Sequence, residues 1–181
     1  TDELHFMPNS VSLRNKLINM TEKRTELRDL GEFGLIERLS KTVKINQKST
    51  KKGIGDDSAV LQIKDQLLVS TDMLLEGIHF DLSYMPIQHL GFKAVAVNIS
   101  DIAAMNGIPS QITVNVGLSN RFSLEAIEAL YAGINAACEH YNVDLVGGDT
   151  TSSSSGLVIS ITAVGTAKPS EISYRNGAKV G

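Results

Sequence analysis

Helix-like and strand-like segments of this chain follow the order helix, two strands, helix, strand, helix, two strands, so single strands do not alternate regularly with helices. The clearest helix candidate is 123–142, where Ser123 is a suitable N-cap residue. Its apolar residues follow a 3-4-3-4-3 spacing: Leu124, Ile127, Tyr131, Ile134, Cys138 and Tyr141. Two further helix candidates cover 31–41 and 88–106, the second apolar on most sides. The predicted strands are 58–63, 66–70, 112–118, 143–146 and 157–166. A doubly wound parallel sheet needs single strands alternating with helices, so this order predicts an α+β fold with helices packed on a largely antiparallel sheet.

The connections between these segments are predicted from short polar and glycine-containing stretches. Residues 44–56 contain Gly53 and Gly55 and indicate a loop. The polar link of Lys64 and Asp65 predicts a hairpin between the strands that flank it. The Ser/Thr run over 150–156 predicts another loop.

Length and composition restrict the classes of partner. The 181 residues suit one domain, and 42% hydrophobic with 20% charged residues predict a packed core. A net charge of −3 provides no electrostatic footprint for nucleic acid or an anionic membrane. No apolar run approaches the roughly 20 residues needed to span a bilayer. One cysteine, Cys138, excludes an intrachain disulfide, and a cytoplasmic location is the default expectation.

The two ends of the chain differ from its centre. Residues 1–30 carry mixed charges with little apolar periodicity, and we expect an N-terminal extension that is partly non-native or disordered, with Met20 as a natural start. Residues 31–181 form the predicted domain. The glycine-containing segment 177–181 is expected to lead into a following domain that this sequence lacks.

Acidic residues stand at the ends of apolar segments beside small or hydroxyl residues. Asp56 and Asp57 follow Gly55, Asp72 follows a predicted strand, and Asp149 follows two glycines. Each of these alone is also typical of a turn or a cap. Asp101 lies in an almost wholly apolar helix, where a buried carboxylate is costly unless it is paired or metal-bound.

The alternatives for the isolated polar residues are structural. Asp101 could pair with Lys93 or Asn98 inside the protein. His79 could be a satisfied structural histidine, and Arg175 a solvated surface arginine. Converging carboxylates beside Ser70 and Thr71 would instead suit Mg²⁺, which prefers oxygen ligands shared with phosphates. Neither a P-loop nor the protein-kinase signature set occurs, so phosphate chemistry would need a metal-carboxylate scheme.

Six motifs in order carry a resemblance to a known family. They are GEFGLIERL, GIGDDSAV, VSTDMLLEGIHF, GFKAVAVNISDIAAMNGIP, LVGGDTT and RNGAKVG. Over residues 31–181 the chain resembles the thiamine-monophosphate kinases, of the superfamily that includes aminoimidazole ribonucleotide synthetase and selenophosphate synthetase. The resemblance implies an α+β N-terminal domain that binds ATP and several Mg²⁺ ions, direct transfer of the γ-phosphoryl group of ATP to thiamine monophosphate, and a homodimer whose sheets join into a barrel. It also implies that a chain without the second domain is inactive or nearly so.

Site residues carried over by the resemblance fall into three groups. The implied metal ligands are Asp57, Ser70, Thr71, Asp72, Asp101 and Asp149. The implied ATP contacts are Gly148, Asp149, Arg175 and Tyr131, and His79 is the implied contact of thiamine monophosphate. Tyr131 also lies in the apolar stripe of its helix, which equally predicts a core residue.

Two departures from the family pattern concern loops. Asn106 and Gly107 stand where glycine followed by a small residue is expected, and a serine run occupies 152–155. Two alternative functions stay open at this point. One is another ATP-using synthetase of the same superfamily, and the other is a non-catalytic nucleotide-binding or dimerisation module.

Overall fold

The computed structural model of the chain describes residues 25–177. Met20 and most of the predicted extension lie outside these residues, as do the last four residues of the terminal motif. The elements are α1 (Leu27–Ser40), β1 (Thr50–Lys52), β2 (Val60–Leu61), β3 (Gln66–Leu75), α2 (Ile87–Ala104), β4 (Ile108–Leu118), α3 (Leu124–Tyr141), β5 (Asp144–Ser152) and β6 (Leu157–Ala167).

Four strands form the main sheet in the order β3-β6-β4-β5. The β3–β6 and β4–β6 pairs are antiparallel, and the β4–β5 pair is parallel. The sheet is therefore mixed but largely antiparallel, and helices pack on one of its faces. This confirms the predicted α+β class.

Helices α2 and α3 cross at a close contact that two glycines permit. A Cβ atom at Gly91 would lie 2.1 Å from the carbonyl oxygen of Leu130, and one at Gly133 would lie 1.8 Å from that of Gln88. The missing side chains let the two backbones approach, and the apolar residues around this crossing are buried against the sheet. The largest fully buried apolar side chains are Leu90, Ile102, Ile112, Ile127, Leu130, Ile134, Leu157, Ile159 and Ile161.

The spacing of apolar residues in the sequence correctly predicted α2 and α3, with ends within two residues of those observed. Ser123 caps α3 as expected, because its hydroxyl accepts a hydrogen bond from the Ala126 amide at 3.4 Å. The helix ends at Asn142, which adopts the left-handed conformation with φ 53° and donates its backbone N–H to the last turn.

The predicted hairpin around Lys64 and Asp65 is wrong. The two-residue strand β2 pairs with β1, inside the segment predicted as a loop, while β3 pairs along its whole length with β6. β2 and β3 thus do not pair with each other, and the polar link between them joins two different sheets.

Strand β5 is longer than the predicted strand 143–146. It continues through Gly148 and Asp149 to Ser152, in parallel register with β4, so residues 150–152 are not part of a loop. An irregularity in the register skips Val146 between the pairs Ile112–Leu145 and Thr113–Gly147. Pairing with β4 satisfies the main chain of this polar run, whose composition alone is typical of a loop.

The other face of the sheet is partly exposed and carries apolar residues. Leu67, Val69 and Met73 of β3 and Ile108 of β4 are each more than half exposed.

Within residues 25–177, no helix combines the length and the apolar character that crossing a membrane requires.

Candidate functional site

A polar cluster joins strand β3 to helix α2, and we call Ser70, Asp72, Asn98 and Asp101 the β3–α2 cluster. The Ser70 hydroxyl donates to Asp101 Oδ2 at 2.7 Å. The Asp72 backbone N–H donates to Asn98 Oδ1 at 3.0 Å. Ser70 and Asp72 are two residues apart on a strand, and Asn98 and Asp101 are three apart on a helix, so each pair shares a face. The cluster thus brings together three of the predicted metal ligands, Ser70, Asp72 and Asp101.

Asp101 is exposed, so its expected burial is wrong. β3 is an edge strand, and the helix turn that carries Asp101 reaches that edge instead of the closed core. Neither structural partner considered for it is used. Lys93 donates to the His79 carbonyl oxygen at 2.9 Å, and Asn98 bonds to Asp72 and Ala94. The solvated position removes the burial argument, but the contact with Ser70 gives the carboxylate a defined place.

Thr71 faces away from the β3–α2 cluster. Its hydroxyl donates to the Ile161 carbonyl oxygen at 3.0 Å and accepts from Thr162 at 3.2 Å. Because successive residues of a strand alternate between faces, the Thr71 hydroxyl does not join Ser70 and Asp72 on the side of α2.

His79 lies in a tight turn that begins where β3 ends. Its Nδ1 accepts the Leu75 backbone N–H at 3.0 Å, and its own N–H donates to the Leu75 carbonyl oxygen at 2.9 Å. In the neutral imidazole, an accepting Nδ1 places the ring proton on Nε2. The ring therefore presents an Nε2–H donor from an exposed position.

Gly148 and Asp149 lie in β5, at the opposite edge of the sheet. A Cβ at Gly148 would be 1.8 Å from the Val114 carbonyl oxygen, so this position requires glycine for the close pairing of β5 with β4. Asp149 is in register with Asn115, Ser160 and Met73 across the sheet. Three strand spacings separate it from β3, which amounts to about 14 Å.

Asp57 belongs to an exposed loop after β1. Its neighbour Asp56 is paired with Lys52, and that contact, followed by the Asp57 backbone N–H, holds the pKa of Asp56 below its usual value. Among the described residues, the Asp57 side chain has no hydrogen-bond partner, so its carboxylate is available to a ligand.

A buried carboxylate that sequence reasoning missed anchors the segment before this loop. Asp144 is fully buried, and it accepts from the backbone N–H groups of Asn46 and Gln47 at 2.7 and 3.0 Å and from the Thr50 hydroxyl at 2.6 Å. Gln111 adds two hydrogen bonds to the same segment. The sequence signal that could have identified Asp144 is an acidic residue between the apolar Val143 and Leu145.

Asn98 is a second residue whose role the sequence did not show, because it was considered only as a possible partner of Asp101.

Tyr131 is a core residue that also lines a groove between α1 and α3. It is 8% exposed, and burial raises its pKa to about 12. The groove has a volume of about 330 Å³, and Arg38 and Lys44 are among its charged lining residues. None of the other predicted site residues lines this groove. The position of Tyr131 therefore confirms the core interpretation, and its contact with ATP stays a prediction.

Arg175 is exposed in a turn near the end of the described residues. The Gly177 backbone N–H donates to the Tyr174 carbonyl oxygen at 2.9 Å and closes this turn. The Ser173 N–H donates to the Met105 carbonyl oxygen at 3.1 Å, which holds the segment against the end of α2. The turn that carries Arg175 is thus held near the C-terminal end of the helix that carries Asp101.

The oxygen donors of the β3–α2 cluster suit a hard cation whose coordination is completed by phosphate and water. Within residues 25–177, no three carboxylate, histidine or cysteine side chains approach closely enough to hold a metal ion. Asp72, Asp101 and Ser70 offer oxygen donors only, and Mg²⁺ is commonly held by one or two carboxylates plus substrate phosphates and water. These residues therefore fit Mg²⁺ as an incomplete site, whereas the absence of nitrogen and sulfur donors argues against zinc.

Comparisons with known proteins agree with this fold. The family model described as "AIR synthase related protein, N-terminal domain" matches residues 55–167. The thiamine-monophosphate kinase of Bacillus subtilis (strain 168) is 38% identical over 152 residues, which cover 83% of this chain and 46% of that protein. The crystal structure of thiamine-monophosphate kinase from Stenotrophomonas maltophilia K279a matches with a TM-score of 0.71 and 36% identity, covering 84% of this chain and 47% of that one.

A further solved structure, AaThiL complexed with AMPPCP and TMP, has a TM-score of 0.61 and 35% identity, covering 88% of this chain and 49% of that chain. The chain spans about half the length of the relatives that it matches.

Proposed function

The chain belongs to the AIR synthase related protein family, and we propose that it is the ATP- and magnesium-binding N-terminal half of a thiamine-monophosphate kinase. The proposed reaction transfers the γ-phosphoryl group of ATP to the phosphate of thiamine monophosphate, giving thiamine diphosphate and ADP. The observation that carries the proposal is the β3–α2 cluster, where Asp101 contacts Ser70 and Asp72 is fixed by Asn98. The names of the relatives support the substrate, and the complex of AaThiL with AMPPCP and TMP supports both ligands.

In this proposal the acidic residues hold Mg²⁺ together with the phosphates of ATP. Asp72, Asp101 and Ser70 are the nearest group of donors, and Thr71 contributes its main-chain oxygen. Asp57 and Asp149 supply further carboxylates from the loop after β1 and from β5. When bound, Mg²⁺ neutralises phosphate charge and thereby lowers the repulsion between two anionic reactants.

The remaining predicted residues bind and orient the two substrates. His79 donates its Nε2–H to a phosphate oxygen of thiamine monophosphate, because its Nδ1 is already used by Leu75. Arg175 offers its guanidinium to the ATP phosphates, a geometry suited to phosphate oxygens. Gly148 and Asp149 are the proposed nucleotide contacts on β5, and Tyr131 is the proposed nucleotide contact on α3. The attacking phosphate oxygen is ionised at neutral pH, so the residues act by positioning and need no general base.

We include a homodimer in the proposal. Apolar residues of β3 and β4 lie exposed on the sheet face opposite the helices, which supports a second copy packing there and joining the two sheets. A cytoplasmic location is part of the same proposal.

The test is a calorimetric titration of the protein with a non-hydrolysable ATP analogue, with and without Mg²⁺. We expect binding that requires Mg²⁺ and is lost in Asp101→Asn, with Asp65→Asn as a control at an exposed carboxylate. Equal affinity of Asp101→Asn and the wild type would contradict the carboxylate-metal site and favour a non-catalytic module.

The choice of substrate is tested on the natural full-length protein. Turnover of thiamine monophosphate with ATP is expected. Turnover of an aminoimidazole precursor without turnover of thiamine monophosphate would instead assign the protein to another synthetase of the superfamily.

A further inference from the structure

Glu76 lies where strand β3 ends and the turn that carries His79 begins. Its backbone N–H donates to the Leu157 carbonyl oxygen at 3.1 Å, and its Oε2 accepts the Leu157 N–H at 2.9 Å. One residue therefore grips Leu157 through both its main chain and its side chain. Leu157 is fully buried and begins β6, a central strand of the sheet. The anchor of Glu76 is thus a rigid part of the fold.

The second carboxylate oxygen of Glu76 binds a different segment. Arg121, in the connection between β4 and α3, donates from Nη2 to Glu76 Oε1. The Glu76 side chain is 18% exposed, so its charge is largely removed from water, and the guanidinium offsets that desolvation. Both oxygens are therefore occupied, one by the start of β6 and the other by the connection between β4 and α3.

The space around Glu76 is also restricted. A Cβ at Gly156 would lie 3.2 Å from Glu76 Oε2, and Gly156 has φ +69°. Glycine at this position permits the turn that presents the Leu157 N–H to the carboxylate.

The turn after Glu76 is short and depends on its ends. The Gly77 N–H donates to the Phe80 carbonyl oxygen at 2.8 Å, and the His79 N–H donates to Leu75 at 2.9 Å. The residues on either side of Glu76 thus fix the His79 ring, which accepts the Leu75 N–H at Nδ1. A shift of Glu76 relative to β6 would move the whole turn.

We propose that Glu76 is a positioning residue that locks the His79 turn onto strand β6, with Arg121 as its charge partner. This inference rests on the proposed function, in which His79 binds the phosphate of thiamine monophosphate. Glu76 touches neither substrate in this account and acts through His79. Its loss is expected to weaken the binding of thiamine monophosphate more than that of ATP.

Two substitutions separate the hydrogen bond from the charge. Glu76→Ala removes both contacts, whereas Glu76→Gln keeps an amide oxygen that accepts the Leu157 N–H and loses the ion pair. Glu37→Ala and Glu37→Gln are matched controls, because Glu37 is exposed on α1 and pairs only with Lys41 at 3.1 Å among the contacts described. The control substitutions remove an ion pair without touching the end of the sheet.

Kinetics of the natural full-length protein supply the first measurement. We expect Glu76→Ala to raise the KM for thiamine monophosphate about tenfold or more, because a displaced binding group loses its alignment, and to change the KM for ATP less than about threefold. Glu76→Gln is expected to recover most of the lost affinity. Equal changes in both KM values, or no change in either, would overturn the positioning role.

Amide hydrogen exchange supplies a second measurement that does not depend on activity. Glu76→Ala should speed exchange at Leu157 and residues 77–80, and Glu76→Gln should largely restore protection there. Faster exchange spread evenly over the sheet, or unchanged exchange in the turn, would overturn the inference. If the wild-type protein does not phosphorylate thiamine monophosphate, the proposed function fails, and the exchange result alone decides whether Glu76 locks the turn.

Discussion

Replacing Asp144 should destabilise the protein more than replacing an exposed carboxylate would. Its two oxygens accept from two backbone N–H groups and the Thr50 hydroxyl, at distances between 2.6 and 3.2 Å. A hydrogen bond to a charged group contributes about 1.5–3 kcal/mol, and contributions within one network are not additive. Asp144→Ala leaves three donors without this acceptor, in hydrogen bonds that are at least partly shielded from water. We therefore expect it to lower the free energy of unfolding by about 3–5 kcal/mol.

Asp144→Asn separates the loss of charge from the loss of shape. The amide oxygen still accepts from the backbone N–H groups of Asn46 and Gln47, and the Thr50 hydroxyl can rotate to accept from the amide NH₂ group. The expected cost is therefore smaller, about 1–2 kcal/mol. Asp65→Asn, at an exposed position after β2, is the matched control and should change stability by less than about 0.5 kcal/mol.

Urea unfolding at fixed pH measures these differences from the midpoint, provided that the slope with denaturant is unchanged. A cost below about 1 kcal/mol for Asp144→Ala would refute the argument that this carboxylate anchors residues 46–50. An Asn variant as unstable as the Ala variant would show that charge, and not the number of acceptors, determines the effect. Hydrogen exchange at Asn46 and Gln47 would locate the loss.

Two further predictions concern stability. Hydrogen bonding from Thr25 is the main cause that lowers the pKa of Glu125 from 4.5 to about 2. Since the folded value is depressed, the contribution is complete above 4.5 and is lost as the pH falls towards 2, so an acid titration of unfolding should be flatter in that window for Glu125→Gln; an unchanged slope would contradict it. Gly133→Ala places a methyl group 1.8 Å from the Gln88 carbonyl oxygen and should cost about 1–3 kcal/mol in urea unfolding, despite the better helix propensity of alanine; a gain in stability would show that the helices separate freely.

The helices could be predicted from the sequence because their signals are local. The apolar period of 123–142 and the Ser123 cap place α3 within a residue or two of its observed ends. Strand pairing is different, because Val60 and Gln66 are close in sequence yet begin strands of two different sheets. The choice of partner depends on segments up to a hundred residues away, which no local pattern records.

The candidate site divides in the same way. The motifs named the acidic residues, but they could not show that Asp101 is exposed or that Thr71 faces away from Asp72. Asp149 stood beside two glycines, which predicted a turn, and it lies inside a strand because β4 supplies its main-chain partners. Glu76 had no sequence signal beyond its place in the motif VSTDMLLEGIHF, because the fold brings its partners Leu157 and Arg121 to it.

The separation of the acidic groups has a consequence for binding. Within the described residues, Asp72 and Asp101 form one group and Asp149 lies about 14 Å away across the sheet, so their mutual repulsion is weak without a cation. Neither group alone provides the ligands that Mg²⁺ needs, and the phosphates of a nucleotide supply the missing oxygens. Metal and nucleotide should therefore each raise the affinity of the other by the same factor, as linkage requires. The Ser70 hydroxyl donates to Asp101 Oδ2 in this structure and keeps its lone pairs available to a cation, so Ser70→Ala removes one neutral donor atom whereas Asp101→Asn removes a charge. Ser70→Ala should therefore weaken this coupling less than Asp101→Asn.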